Sequence, residues 1–143
     1  MAFAFFPLTY KLVAVIEPWF DDPDTVRHLG GREWIHQAHG LTKSMPGFTF
    51  GGFTVLSRHS WVIGENGLPV GLLDVEVYDD RTASLAIVVS PRERNRGVAR
   101  RVLSSIWNIP ELATVQFLFG LVEVNNLSSQ RCFLRRIPFP RHR

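Results

Sequence analysis

Apolar and polar positions alternate or cluster along this chain in a way that separates a helical front from a strand-rich middle. The opening run Met1-Ala2-Phe3-Ala4-Phe5-Phe6 is apolar and is broken at Pro7 and Lys11. It reads as a loosely docked arm, with a buried first strand following over 11–16. Asp21-Asp22-Pro23-Asp24 then marks a helix start, with an Asp cap, Pro in the first helical position and acids in the first turn. That helix is short and ends near Gly30-Gly31; a second, rich in Trp34, Ile35 and two histidines, runs from Arg32 to about Ala38. Residues 44–54, with three glycines and three phenylalanines, read as a loop or the approach to a strand.

From there the period falls to two. Trp61-Val62-Ile63 reads as a strand, Glu65-Asn66-Gly67 as a tight hairpin turn and 69–78 as the next strand. A turn at Asp79-Asp80-Arg81 leads into a strand over 82–89. Along 69–78, Leu73, Val75 and Val77 share one face while Leu72, Asp74, Glu76 and Tyr78 share the other, and the two acids mark that second face as bordering a cleft or solvent. After a basic turn, Val98, Ala99, Val102, Leu103 and Ile106 form one helical stripe, with Arg100, Arg101, Ser104 and Ser105 opposite, and Pro110 ends the helix. A nearly continuous apolar strand spans 114–124, and a last helix from about Leu127 to Arg136 is capped by Asn125 or Asn126.

Composition changes this picture little. At 143 residues, 45% hydrophobic and 20% charged, the chain is one ordinary globular domain over 1–143. Its one cysteine, Cys132, rules out an intrachain disulfide framework and fits a reducing compartment; it reads as a small buried side chain, not a nucleophile. No Cys/His cluster has zinc-like spacing, so no metal is expected. The apolar N-terminus lacks a basic leader and is too short for a membrane span, so a soluble, cytoplasmic protein with no membrane partner is expected.

The net charge of +3 is concentrated at Arg92, Arg94, Arg96, Arg100 and Arg101, and again near the C-terminus. Without interleaved aromatics or a nucleic-acid motif, DNA or RNA is disfavoured, and these arginines fit a polyphosphate ligand or a solvated face. Their position is more telling than their number. The strand ending at Val89 runs through Ser90-Pro91 into the basic turn Arg94-Asn95-Arg96-Gly97 and straight into a helix. A strand that stops at a helix N-terminus presents unpaired backbone N–H groups in a concave loop, and the helix dipole favours negative charge there.

In this order and spacing, residues 65–133 resemble the GNAT superfamily of acetyl-coenzyme A-dependent N-acyltransferases. The family signature Arg/Gln-x-x-Gly-x-Gly/Ala matches Arg94-Asn95-Arg96-Gly97-Val98-Ala99, between a hairpin pair of strands and an amphipathic helix. A second run, Asn126-Leu127-Ser128-Ser129-Gln130-Arg131-Cys132-Phe133, matches the family's Asn-x-x-Ser/Ala-x-x-x-Tyr element except at its last position. Trp19-Phe20-Asp21-Asp22-Pro23 looks like the acceptor-side region of some bacterial members.

The resemblance implies an α/β (α+β) fold, with a mixed, mostly antiparallel central sheet flanked by helices and splayed between its fourth and fifth strands. It implies acetyl-CoA as co-substrate and a primary amine of a small molecule or protein as acceptor. The coenzyme pyrophosphate would rest on the backbone from Arg96 to Ala99 beside Arg94 and Arg100, with Asn126, Ser129 and Phe133 also bordering the coenzyme. The pantetheine arm would pair with the strand amides of Ile87, Val88 and Val89, and a backbone N–H near Val88 would polarise the thioester carbonyl. Glu76, then Asp74, are the candidate catalytic bases; His36 and His39 are alternatives in the acceptor region, and His59 reads as a strand-edge residue. Aromatics at Trp19, Phe20, Trp34, Phe48 and Phe50 beside Glu17, Asp21 and Asp22 would suit a cationic amine.

Two departures bear on activity. Phe133 stands where the family usually has tyrosine, so thiolate protonation would fall to water, Ser129 or Tyr78. A CoA-binding protein with weak or no catalysis is therefore the alternative. The ending Ile137-Pro138-Phe139-Pro140 lacks the family's Gly-Phe pair, and its prolines exclude a central strand. One or more last strands are thus expected to be missing or supplied by a partner, which makes a homodimer plausible.

Overall fold

The computed structural model describes residues 3–43, 49–50, 53–123 and 137–138. Strand β1 (Ala4–Pro7) leads into helix α1 (Tyr10–Ile16), a 3-10 turn, and helices α2 (Pro23–Leu29) and α3 (Arg32–Leu41). Strands β2 (Thr49–Phe50), β3 (Phe53–Glu65), β4 (Leu68–Tyr78) and β5 (Thr82–Val89) follow. Helix α4 (Val98–Ser105), strand β6 (Phe117–Glu123) and strand β7 (Ile137–Pro138) complete the order. The sheet runs β1-β3-β4-β5-β6-β7, with β2 paired to β3. Among the described residues every pairing is antiparallel except β5 with β6, which is parallel.

The front of the chain corrects the expected first strand. Residues 11–16 are helical: Thr9 caps the helix through its hydroxyl, which accepts from the Leu12 amide at 3.2 Å, and Val13 and Ile16 are buried one turn apart. A cap followed by an i, i+3 apolar pair has the helical period, which a six-residue apolar run conceals. The strand lies earlier, in the segment read as an arm: Ala4–Pro7 pairs with Trp61–Gly64 at the sheet edge, where Pro7 removes no ladder bond that a further strand would need.

The expected helix start at Asp22 is present. Its carboxylate accepts from the amides of Asp24 and Thr25 at 3.2 Å, Pro23 takes the first position, and Gly30 ends the helix at φ 97°. The hairpin turn is also as expected, with Asn66 at φ 54° and Gly67 at φ 78° joining Glu65 to Leu68.

The two sheet faces carry two cores. Leu73, Val75 and Val77 of β4 join Leu85, Ile87 and Val89 of β5 and Val98, Ala99 and Val102 of α4. On the other face Leu72, Val62 and Val88 pack under α1, α3 and the 3-10 turn through Val13, Ile16, Phe20 and Ile35.

The parallel β5–β6 pair carries the expected splay as a bulge. Ser84 pairs with Phe119 and Ala86 with Val122, so β6 advances three residues where β5 advances two. Pairing resumes as far as Ile87 with Glu123. The expected loss of the last strand is corrected in part: Ile137 and Pro138 pair with Leu118 and Phe117, so the chain itself supplies a two-residue edge. A proline is compatible with an edge position because only one side of the strand need donate. The expected last helix over 127–136, with Asn126, Ser129, Cys132 and Phe133, lies outside the described residues.

Candidate active site along β5

At its C-terminal end β5 runs into a short 3-10 turn (Pro91–Glu93) and then the N-terminus of α4. Asn95 at φ 64° and Gly97 at φ 71° are both left-handed, and this pair of reversals curls the loop over the helix end. The first internal helical bond is donated by Arg101 to the Gly97 carbonyl at 3.0 Å, and no side chain among the described residues caps the helix. The amides of Val98, Ala99 and Arg100 therefore point out of the helix end. A Cβ built on Gly97 would meet nothing within 4 Å, so the space beside Gly97 at the helix end is open. Backbone donors around an open hollow at the positive end of a helix suit a pyrophosphate.

The arginines around this hollow have distinct jobs. Arg94 donates to the Asp22 carboxylate at 2.8 Å and to the Thr25 hydroxyl at 3.0 Å, tying the loop to the cap of α2. Burial raises the Asp22 carboxyl, but the Arg94 hydrogen bond and the Thr25 amide together outweigh it and hold the carboxyl below its ordinary value. Arg96 pairs with Glu93 at the surface. Arg101 pairs with Glu65 and lies 4.7 Å over the Phe3 ring. Arg100 is exposed.

Half-way along β5 the character changes from backbone to side chains. A cavity of about 220 Å³ is lined by Leu29, Trp34, Arg58, Asp74, Glu76, Ser84, Leu85 and Ala86. It opens where β5 and β6 lose register. Antiparallel pairing sets Arg58 opposite Glu76, Ser60 opposite Asp74 and Glu76 opposite Ser84, so these polar groups form a cross-strand row.

That row is closely bonded. The Arg58 guanidinium forks onto Asp74, at 2.5 Å from Nη2 and 3.3 Å from Nε, and its Nη1 lies 3.2 Å from Glu76. Ser60 donates to Asp74 at 2.6 Å. Tyr78 donates to Glu76 Oε1 at 2.7 Å, and its oxygen is 3.2 Å from the Ser84 hydroxyl. Burial pushes the Asp74 carboxyl up, against the opposing pull of Arg58 and Ser60. Burial likewise pushes the Tyr78 phenol up. Two carboxylates and one guanidinium leave the row one negative charge, which suits an approaching ammonium group.

The structure thus brings together Glu76 and Asp74, and it adds Arg58, Ser60 and Ser84, which sequence reasoning missed. Ile87 is in register with β6, whereas Val88 and Val89 lie beyond the last described pair on that side. The acceptor-region candidates sit elsewhere. His36 hydrogen-bonds Glu17 at 2.5 Å on the surface, and His39 is buried edge-on to Tyr10. Burial holds the His39 imidazole below its ordinary value. His59 is at an open edge, as expected: it pairs with Val75 of β4, β1 and β2 reach only Trp61–Gly64 and Phe53–Thr54 of β3 among the described residues, and its ring stacks on Trp61 at 5.1 Å. Of the expected amine-binding aromatics, Phe20 is core and stacks at 5.7 Å on Trp34, whose other contacts reach the cavity wall. Glu17 and Asp21 pair with Arg32, and Asp22 serves as cap and partner of Arg94, so none of the three lines the cavity. Phe48 lies outside the described residues.

Comparison with known proteins agrees with this architecture. A family model described as "Acetyltransferase (GNAT) family" matches residues 14–137. A curated relative from Bacillus subtilis (strain 168), the "Uncharacterized N-acetyltransferase YfmK", is 23% identical over 121 residues, covering 83% of this chain and 73% of its own. Among solved structures, an acetyltransferase from Thermus thermophilus superposes with a TM-score of 0.67 at 18% identity, over 93% of this chain and 84% of that one. The aminoglycoside acetyltransferase AAC(6')-Ib in complex with coenzyme A gives a TM-score of 0.61 at 14% identity, over 92% and 81%. Among the described residues no helix is long and apolar enough to cross a membrane.

Proposed function

The chain belongs to the GNAT acetyltransferase family, and from that premise we propose that it transfers the acetyl group of acetyl-coenzyme A to a primary amine of a small molecule or protein by direct attack. The observation that carries this reading is the arrangement along one strand. An open backbone cradle at Gly97 follows the end of β5, and a polar, net-negative cavity opens beside Ser84 to Ala86.

The residues fit the coenzyme. The amides of Val98, Ala99 and Arg100 would hold the pyrophosphate, and the open volume at Gly97 admits it. Val89 offers its β6-facing backbone to the pantetheine arm, since Val88 is turned to Leu72 of β4, and a β6-facing N–H beside Val88 would polarise the thioester carbonyl. When bound, the coenzyme supplies the activated acetyl group. Arg94 acts as a strut to α2, keeping the cradle in fixed relation to the helices that roof the cavity.

Glu76 takes the proton of the attacking amine. Asp74 is less suited to that task, because the Arg58 fork and Ser60 occupy both of its oxygens; its work is to fix Arg58. Glu76 accepts from Arg58 at 3.2 Å and from Tyr78 at 2.7 Å, but it is less deeply buried than Asp74 and carries only one contact to the guanidinium, which leaves it the more accessible of the two from the cavity. A net-negative acceptor site selects amines that arrive as cations and are deprotonated on binding.

Calorimetry with acetyl-CoA tests the reading. The wild type should bind, and Gly97→Glu, which places a carboxylate in the cradle, should bind at least about 100-fold more weakly through like-charge repulsion. Glu76→Gln should bind normally while losing about 100-fold in turnover on an amine panel. Absence of wild-type binding would sink the proposal.

A further inference from the structure

We propose that Arg94, the arginine of the cradle motif, serves the amine and not the coenzyme: it is a positioning residue that sets the α2 wall of the acceptor cavity. The inference rests on the acetyltransferase reading above and goes beyond it by dividing one motif between the two substrates. In the sequence Arg94 stands with Gly97 and Ala99, beside the expected pyrophosphate. In the structure its guanidinium is turned to a different element.

Three observations carry it. The first is direction. Nη1 of Arg94 donates to the Asp22 carboxylate at 2.8 Å and Nη2 to the Thr25 hydroxyl at 3.0 Å, so both terminal nitrogens of the fork engage α2 or its cap. Helix α4, whose amides form the cradle, packs on one face of the sheet through Val98, Ala99 and Val102, whereas Leu29 of α2 packs with Phe20 and Ile35 on the other. The second is burial. The Arg94 and Asp22 side chains are 14% and 20% exposed and Thr25 is buried, so salt screens the contact little. The third is what α2 brings to the cavity. Thr25 and Leu29 stand four residues apart on one helical face, and Leu29 lines the cavity beside Trp34 of α3.

A seven-residue helix is too short to be held by its own hydrogen bonds, so its contacts decide where it sits. Arg94 grips both the cap of α2 and the face whose next turn forms the cavity wall. Removing the guanidinium releases that wall at Leu29. It leaves Trp34 stacked on Phe20, and it leaves Arg58, Asp74 and Glu76 fixed by cross-strand register. The amides of Val98, Ala99 and Arg100 also stay in place, because they belong to α4. Loss of Arg94 therefore weakens the amine and spares the coenzyme. Lysine is a poor substitute, since a single point donor cannot span Asp22 and Thr25 together.

Calorimetry gives the Kd of acetyl-CoA, and thiol release gives KM for the best amine in a panel of a polyamine, an aminoglycoside and a lysine-containing peptide. Arg94→Met should raise the amine KM about 10-fold and hold the acetyl-CoA Kd within about twofold, a split that general loss of structure would not produce. Arg94→Lys, the milder variant, should raise the amine KM about threefold with the same unchanged Kd. In an Asp22→Asn background, where the cap persists but the charge is gone, Arg94→Met should cost about threefold instead of about 10-fold. An amine KM that rises no more than the acetyl-CoA Kd overturns the assignment and leaves the acetyltransferase reading standing; a Kd raised alone would return Arg94 to the pyrophosphate. No thiol release by the wild type on any amine overturns both.

Discussion

The two ends of the candidate site, one half-way along β5 and one in the turn that follows it, are built from opposite materials. The cradle beyond Val89 is made of backbone, from one contiguous stretch, and depends on the φ of two residues. The cavity beside Ser84 is made of side chains from β3, β4 and β5, and depends on strand register. A backbone site tolerates most side-chain changes, whereas a register-built row fails when one partner is removed from a buried network. Mutations should separate the two regions sharply.

The largest effect belongs to the cavity. Arg58→Ala leaves Asp74 buried without its guanidinium and Glu76 without its second contact. Denaturant unfolding should show a loss of about 3–5 kcal/mol, the cost of an orphaned buried charge. A loss under about 1 kcal/mol would mean the row is hydrated, and the contrast between the regions would collapse. Next comes the strut between them. Asp22→Ala removes the cap of α2 and the carboxylate that Arg94 holds, for an expected loss of about 1–2 kcal/mol in the same experiment. Smaller again is Gly97→Ala. Its Cβ meets nothing within 4 Å, so only the left-handed φ of 71° counts, at about 1 kcal/mol.

The same contrast explains what the sequence made legible. The cradle was readable because every part of it lies within Arg94 to Ala99, in a local pattern of glycine, basic residues and a helix start. The α2 cap and the Asn66-Gly67 hairpin were readable for the same reason. The acids of β4 were visible from alternation alone, but their partner was not. Counting from Glu65 opposite Leu68, a plain hairpin sets Arg58 opposite Val75, on the α4 face. The register shift between Ile63 and Gly64 moves it by one residue, opposite Glu76 and onto the cavity face. No local signal in Trp61-Val62-Ile63-Gly64 announces that shift. The misread strand over 11–16 failed on length: two helical turns and a short strand carry similar apolar content, and only the Thr9 cap distinguishes them.

The smallest expected effect is also the one that sets the two regions against each other by sign. Asp22, at the strut of the cradle, has a folded pKa below its ordinary 3.8. Its carboxylate therefore contributes stability that is present above 3.8 and is lost as pH falls through the folded value. Asp74, in the cavity, has a folded pKa raised above 3.8 by burial. It binds its proton more readily folded than unfolded, so its contribution declines as pH rises from 3.8 through the folded value. Asp22→Asn keeps a competent helix cap and removes only the titration. The stability gap between wild type and Asp22→Asn should be widest near neutrality and should narrow as pH drops below about 4. Urea unfolding at a series of pH values measures that gap. A gap constant with pH would mean that Arg94 holds Asp22 by geometry without charge, and the strut would then belong with the backbone-built cradle.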